Sequence, residues 1–196
     1  IYFFGLIITV FLGVSLLYKE IEKRTLYFVL PKPVRHSEII IGKFLGLFMS
    51  ILLATAVMFG VYLGVVVYSG GGFDTFAMVA VLLQLFEMGL FIAIAICLSM
   101  LFTPLVSIIY AVLLIFIGHS IWLVVLYATE LGRVAYYTTL GVYYIFPNLE
   151  KFNVRNITIH GVGVPPEEVF SAILYAIAYT IIILTAATAL FRRREF

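Results

Sequence analysis

Five long apolar runs dominate this chain and leave few options for its fold. They are Ile1–Tyr18, Phe44–Tyr68, Phe76–Phe102, Leu105–Tyr127 and Phe170–Phe191. Each is close to the roughly 20 apolar residues that a helix needs to cross a bilayer. A single helix over Phe76–Tyr127 would be about twice that length, so Thr103–Pro104 is expected to break it into a hairpin. Charged residues make up 11% of the 196 residues, against ~25% in an ordinary soluble domain. That is too few to coat a water-soluble globule. A soluble enzyme, a disordered chain and a nucleic-acid-binding domain are all excluded. The single cysteine, Cys97, excludes a disulfide framework and any multi-cysteine metal site, and no metal is expected. The expected fold class is all-α, a polytopic transmembrane helix bundle with five spans over 1–196.

Charge placement orients the spans, because Lys and Arg in short loops stay cytoplasmic. The Lys19–Lys43 connection holds Lys19, Lys23, Arg24, Lys32, Arg35 and Lys43, half of the twelve basic residues. Ser69–Thr75 holds none, and the tail holds Arg192 to Arg194. With Lys19–Lys43 inside, alternation puts Ala128–Val169 outside and the C-terminus inside. Ile1 then starts outside, in the middle of apolar sequence. We expect a further span before it, six in a longer protein.

Lys19–Lys43 reads KEIEKRTLYFVLPKPVRHSEIIIGK. Up to Leu30 its spacing suits an amphipathic continuation of the first span. Pro31 and Pro33 end that helix. Ser37 suits the N-cap of the next, with Glu38 opposing the helix dipole. A helix–turn–helix elbow at the cytoplasmic surface is expected over 19–43. The alternative is a solvated loop whose charges only fix topology.

Ala128–Val169 is too long for a plain hairpin. Tyr136, Tyr137, Tyr143 and Tyr144 fit an interfacial aromatic belt, so short interfacial helices are expected there. Pro165-Pro166-Glu167-Glu168 suits a helix start.

Gln84, Glu87 and His119 are polar side chains at membrane depth. Such residues are costly there and mark either function or hydrogen bonding between helices. Glu87 lies two residues before the middle of its span, and His119 three residues beyond the middle of the next. At ~1.5 Å per residue both sit slightly toward the outer side, at nearly one level. A hydrogen-bonded Glu87–His119 pair is expected, with Gln84, one turn from Glu87, as a third member. Gly60 and Gly64 form a GxxxG spacing that is expected to pack against another helix of the same chain.

The loop carries a pattern: Glu22, Thr25-Leu26, Pro33-Val34, Arg35-His36 and Gly42-Lys43. It resembles the cytoplasmic loop of ABC-2-type permeases, the membrane subunits of ATP-driven exporters. One departure is that Arg35 and His36 stand where those loops usually carry Ser and Arg. Tyr143–Asn153, YYIFPNLEKFN, is similar to a stretch before the last span in several members, including relatives of the nitrous-oxide-reductase maturation permease. The ending Phe191-Arg-Arg-Arg-Glu-Phe196 also fits.

The resemblance implies a non-catalytic permease domain over 1–196 in the cell membrane, paired with a second copy as a homodimer. It implies a soluble ABC ATPase subunit beneath, which would bind the ATP and Mg, leaving no cofactor in this chain. Glu20, Glu22, Thr25, Pro33, Arg35, His36 and Glu38 would then couple the elbow to that ATPase. The residues agree that ATP is not hydrolysed here. Gly42-Lys43 has Ser37 and Phe44 where a phosphate-binding loop needs Gly and Ser/Thr. The alternative function is a proton- or ion-coupled secondary transporter using Glu87 and His119. An intramembrane enzyme would need HExxH, GxSxG or paired carboxylates in the spans, and none of these occurs.

Overall fold

A computed structural model describes residues 2–22, 35–72, 75–128, 132–154 and 164–193. Among these every regular element is helical: α1 (Tyr2–Glu22), α2 (His36–Tyr68), α3 (Thr75–Leu101), α4 (Pro104–Ala128), α5 (Arg133–Ile145), a 3-10 turn (Leu149–Phe152) and α6 (Pro166–Arg193). Four helices are long and apolar enough to cross a membrane, over Ser37–Tyr68, Thr75–Leu101, Pro104–Val125 and Pro166–Arg192. The first expected span is helical from Tyr2, and its described apolar part, Phe4–Val14, is shorter.

The break at Pro104 is where the sequence puts it. α3 ends at Leu101 and α4 begins at Pro104. Proline needs no donor at a helix start. Ser107 Oγ donates to the Leu98 carbonyl at 3.1 Å, a second bond to an oxygen that also takes the Phe102 N–H at 3.0 Å, so the hairpin is tied across its break.

α3 is the central helix, touching α1, α2, α4 and α6. Its membrane window is 67% buried within the chain, against 11–17% for the other three spans. Those three turn most of their surface outward, as helices solvated by lipid can. Two apolar clusters lie along α3. In one, Ile40, Leu47 and Ile51 of α2 meet Met88, Ile92, Ile96 and Met100 of α3 and Phe191 of α6. In the other, Leu83, Leu90, Phe91 and Ile94 of α3 meet Leu149 and Phe152 of the 3-10 turn and Ala172 and Ala176 of α6. Lipid tails are as apolar as these side chains, so dispersion and close approach hold the contacts. α1 comes close to α3 at Gly13, where a Cβ would stand 2.7 Å from that of Ala95.

α2 starts earlier than its apolar run. Its N-cap is Arg35, not Ser37. A guanidinium has no acceptor, so the Glu38 carboxylate closes the end instead, taking the Arg35 N–H at 3.2 Å. The Gly60–Gly64 expectation is also corrected. Both glycines are exposed, and nothing lies within 4 Å of a Cβ built at either. That face of α2 points away from the bundle.

Candidate functional site

The connection between α4 and α6 does not stay at the surface. α5 leads into Pro147, Asn148 and Leu149, all buried, and the 3-10 turn packs against α3 and α4. A Cβ at Gly118, the residue before His119, would collide with the Leu149 side chain and stand 2.9 Å from the Pro147 carbonyl oxygen. Only glycine lets the turn lie directly on α4 here. Gly118 is ten residues, about 15 Å, from the Ala128 end of α4. The turn therefore reaches well into the depth of a ~30 Å hydrocarbon core. Irregular backbone at that depth must be buried in protein or line a polar cavity. The hydrogen bonds meet that demand. The Asn148 N–H donates to Tyr175 Oη of α6 at 2.8 Å, and Asn148 Nδ2 donates to Tyr143 Oη of α5 at 2.9 Å. Asn148 Oδ1 accepts from the Glu150 N–H at 3.1 Å.

The docked turn completes a polar cluster. Glu87 Oε1 on α3 lies 3.0 Å from His119 Nε2 on α4. Tyr2 Oη on α1 donates to the same Glu87 oxygen at 2.9 Å and stands 2.7 Å from His119 Nε2. The other ring nitrogen, Nδ1, faces Glu150 Oε2 at 3.4 Å, and Glu150 Oε1 accepts from Asn153 Nδ2 at 3.0 Å. Four elements thus meet at one imidazole. Glu87 is 1% exposed, whereas Glu150 is 31% exposed. The cluster runs from a sealed carboxylate to an accessible one.

The structure brings Glu87 and His119 together, as their depth implies. Gln84 does not join them. It is buried, and its Nε2 has no partner among the described residues, nor does Glu87 Oε2. Tyr2 takes the third place because it arrives from α1, on the side where both Glu87 and His119 are within reach of one hydroxyl. Tyr2 and Glu150 are the members that sequence reasoning missed. The available signals were a tyrosine at the end of an apolar run and a charged pair, Glu150-Lys151, between Leu149 and Phe152. The described groups contain no set of three His, Cys, Asp or Glu able to hold a metal.

Of the expected elbow residues, Thr25 and Pro33 lie outside the described residues. Glu20 and Glu22 fall in the last turns of α1, and His36 opens α2. Arg35 and Glu38 form the cap already described. Ser37 and Arg192 line one cleft between α2 and α6, so the start of α2 and the end of α6 share one face of the bundle.

A family model described as ABC-2 family transporter protein matches residues 1–196. The chain belongs to the ABC-2 transporter family. It is a multi-pass membrane protein with a transport role, in a family that is generally non-catalytic and typically works with an ATPase partner. No curated protein and no solved structure matches the chain.

Proposed function

We propose that this ABC-2 protein is the permease subunit of an ATP-driven exporter in the cell membrane, with its C-terminus cytoplasmic. The observation that carries the reading is the length of α2 together with the family. Its 33 residues span about 50 Å, well beyond a ~30 Å hydrocarbon core. A helix of that length is long enough to carry its capped start at Arg35–Glu38 beyond the membrane, at the end that also holds Arg192. A basic, capped helix start next to the Lys19–Lys43 connection suits a docking element for a soluble ATPase. In this reading Glu20, Glu22, Thr25, Pro33, Arg35, His36 and Glu38 transmit its movement. ATP and Mg stay in the partner.

A second copy of the chain completes the path. Among the described residues α2, α4 and α6 turn most of their surface outward, which suits a path shared with a partner copy, and closed two-fold symmetry is the commonest way to assemble identical chains. Pro147-Asn148-Leu149-Glu150 supports a further likeness to permeases of nitrous-oxide-reductase maturation. Native mass measurement of the complex in mild detergent tests the assembly. Two permease chains with two ATPase chains are expected, and a stable, active one-to-one complex would refute it.

The Glu87–His119 pair favours one rival, a proton-coupled secondary transporter. Transport that survives ATP depletion but stops when the proton gradient is collapsed would establish that rival instead.

A further inference from the structure

His119 is one imidazole set between two carboxylates, and counting protons on it has a consequence for the turn. Among the described residues no lysine or arginine pairs with either carboxylate. Among the described residues, the groups that face the ring are Tyr2 from α1, Glu87 from α3 and Glu150 from the turn. α5 contributes Tyr143 and α6 contributes Tyr175, both bonded to Asn148 rather than to the ring, while Lys151 Nζ sits 4.8 Å above the Tyr175 ring.

A neutral imidazole has one N–H and one lone pair. If both glutamates are ionised, one of them then faces a lone pair, which is repulsive. Tyr2 cannot correct this on the Nδ1 side, because its single hydroxyl proton lies at the Nε2 side. Two arrangements satisfy both contacts. Either the ring carries protons on both nitrogens, or the ring is neutral and one carboxyl is protonated. Both hold one proton more than a neutral histidine with two carboxylates.

We propose that Glu87, His119 and Glu150 form a proton-binding site whose occupation docks the turn at 147–154 into the bundle. The proton comes from water when the turn docks. It rests on the imidazole or on one of the two carboxyls, and it returns to water when Glu150 lifts away. Glu150 is the moving partner, since it is 31% exposed and belongs to the turn, whereas Glu87 is sealed in α3. The site thereby makes a buried stretch of irregular backbone sensitive to pH on the side from which the turn enters.

Hydrogen–deuterium exchange of the turn tests this on the full protein in lipid nanodiscs between pH 5 and 9. The reporters are the amides of Asn148, Glu150, Asn153 and Val154, which are all hydrogen-bonded in the docked turn. After correction for the intrinsic rate, wild-type protection should fall as pH rises, by up to ~10-fold per pH unit for a single linked proton. Glu150→Gln distinguishes this from an ordinary ion pair. An amide can donate to a neutral Nδ1, so the extra proton is no longer needed, and protection should stay high and flat with pH. His119→Gln should also be flat, and Glu150→Gln carries the test if that variant does not fold. A flat wild-type profile would overturn the proposal, as would a Glu150→Gln turn that is loosened at every pH.

Discussion

Glu87 Oε1 and His119 Nε2 lie 3.0 Å apart, on adjacent antiparallel helices and far from either end of both. The contact joins α3, the buried centre of the bundle, to α4, which carries the docked turn. Packing alone does not specify this pair in lipid, where any apolar residue would fill the space. Its polar atoms must find one another, because Glu87 is sealed inside the bundle, where an unpaired polar group is costly.

Substitution at Glu87 should therefore separate hydrogen bonding from charge. Glu87→Gln keeps an acceptor for Tyr2 and should change stability by less than about 1 kcal/mol, the usual scale for hydrogen bonds between membrane helices. Glu87→Leu leaves the Tyr2 hydroxyl and the imidazole without that acceptor, at a cost of about 1–3 kcal/mol. Thermal unfolding in detergent, followed by helical circular dichroism, reads the difference. Equal losses for the two variants would contradict the contact.

Gly118→Ala should unseat the turn. The added methyl meets the Leu149 side chain and the Pro147 carbonyl, and overpacking of this kind costs about 1–3 kcal/mol. Gly60→Ala and Gly64→Ala meet nothing in the chain and should leave the single chain's stability unchanged. Protease sensitivity near Pro147–Phe152 should rise in the first variant only. A similar rise in all three would show that the turn does not rest on α4.

Glu38→Ala removes the carboxylate that takes the Arg35 N–H and should cost about 0.5–1 kcal/mol at the start of α2. Ser37→Ala should cost less, since Ser37 is not the cap. Exchange of the first-turn amides of α2 reports the order of the two. The reverse order would restore Ser37 as the cap.

The spans were readable because length and apolarity are written directly in the residues, and Pro104 marks its own break. The Glu87–His119 pair was readable because helical rise fixes depth. Helix rotation is not written in that way, so depth alone puts Gln84 in the cluster and leaves Tyr2 out. A connection's depth is not written there either. Glu150 sits 31 residues from His119 in a polar, tyrosine-rich stretch, and the turn's descent depends on Gly118 leaving room for Leu149. Ser37 misled because its hydroxyl is the better cap by type, whereas a capping box formed by Glu38 needs only a backbone N–H at Arg35. Gly60 and Gly64 carry a packing spacing, yet α2 turns them outward, since Ile40, Leu47 and Ile51 occupy its inward face.

Charge reversal in the 19–43 connection tests whether this segment couples the permease to its ATPase. The complex with its ATPase is reconstituted in proteoliposomes with Glu22→Lys and Arg35→Glu together. ATP hydrolysis, transport and subunit co-purification are then measured beside wild type. The bundle should still insert, and the ATPase should no longer drive transport. Unchanged transport together with unchanged co-purification would contradict that coupling.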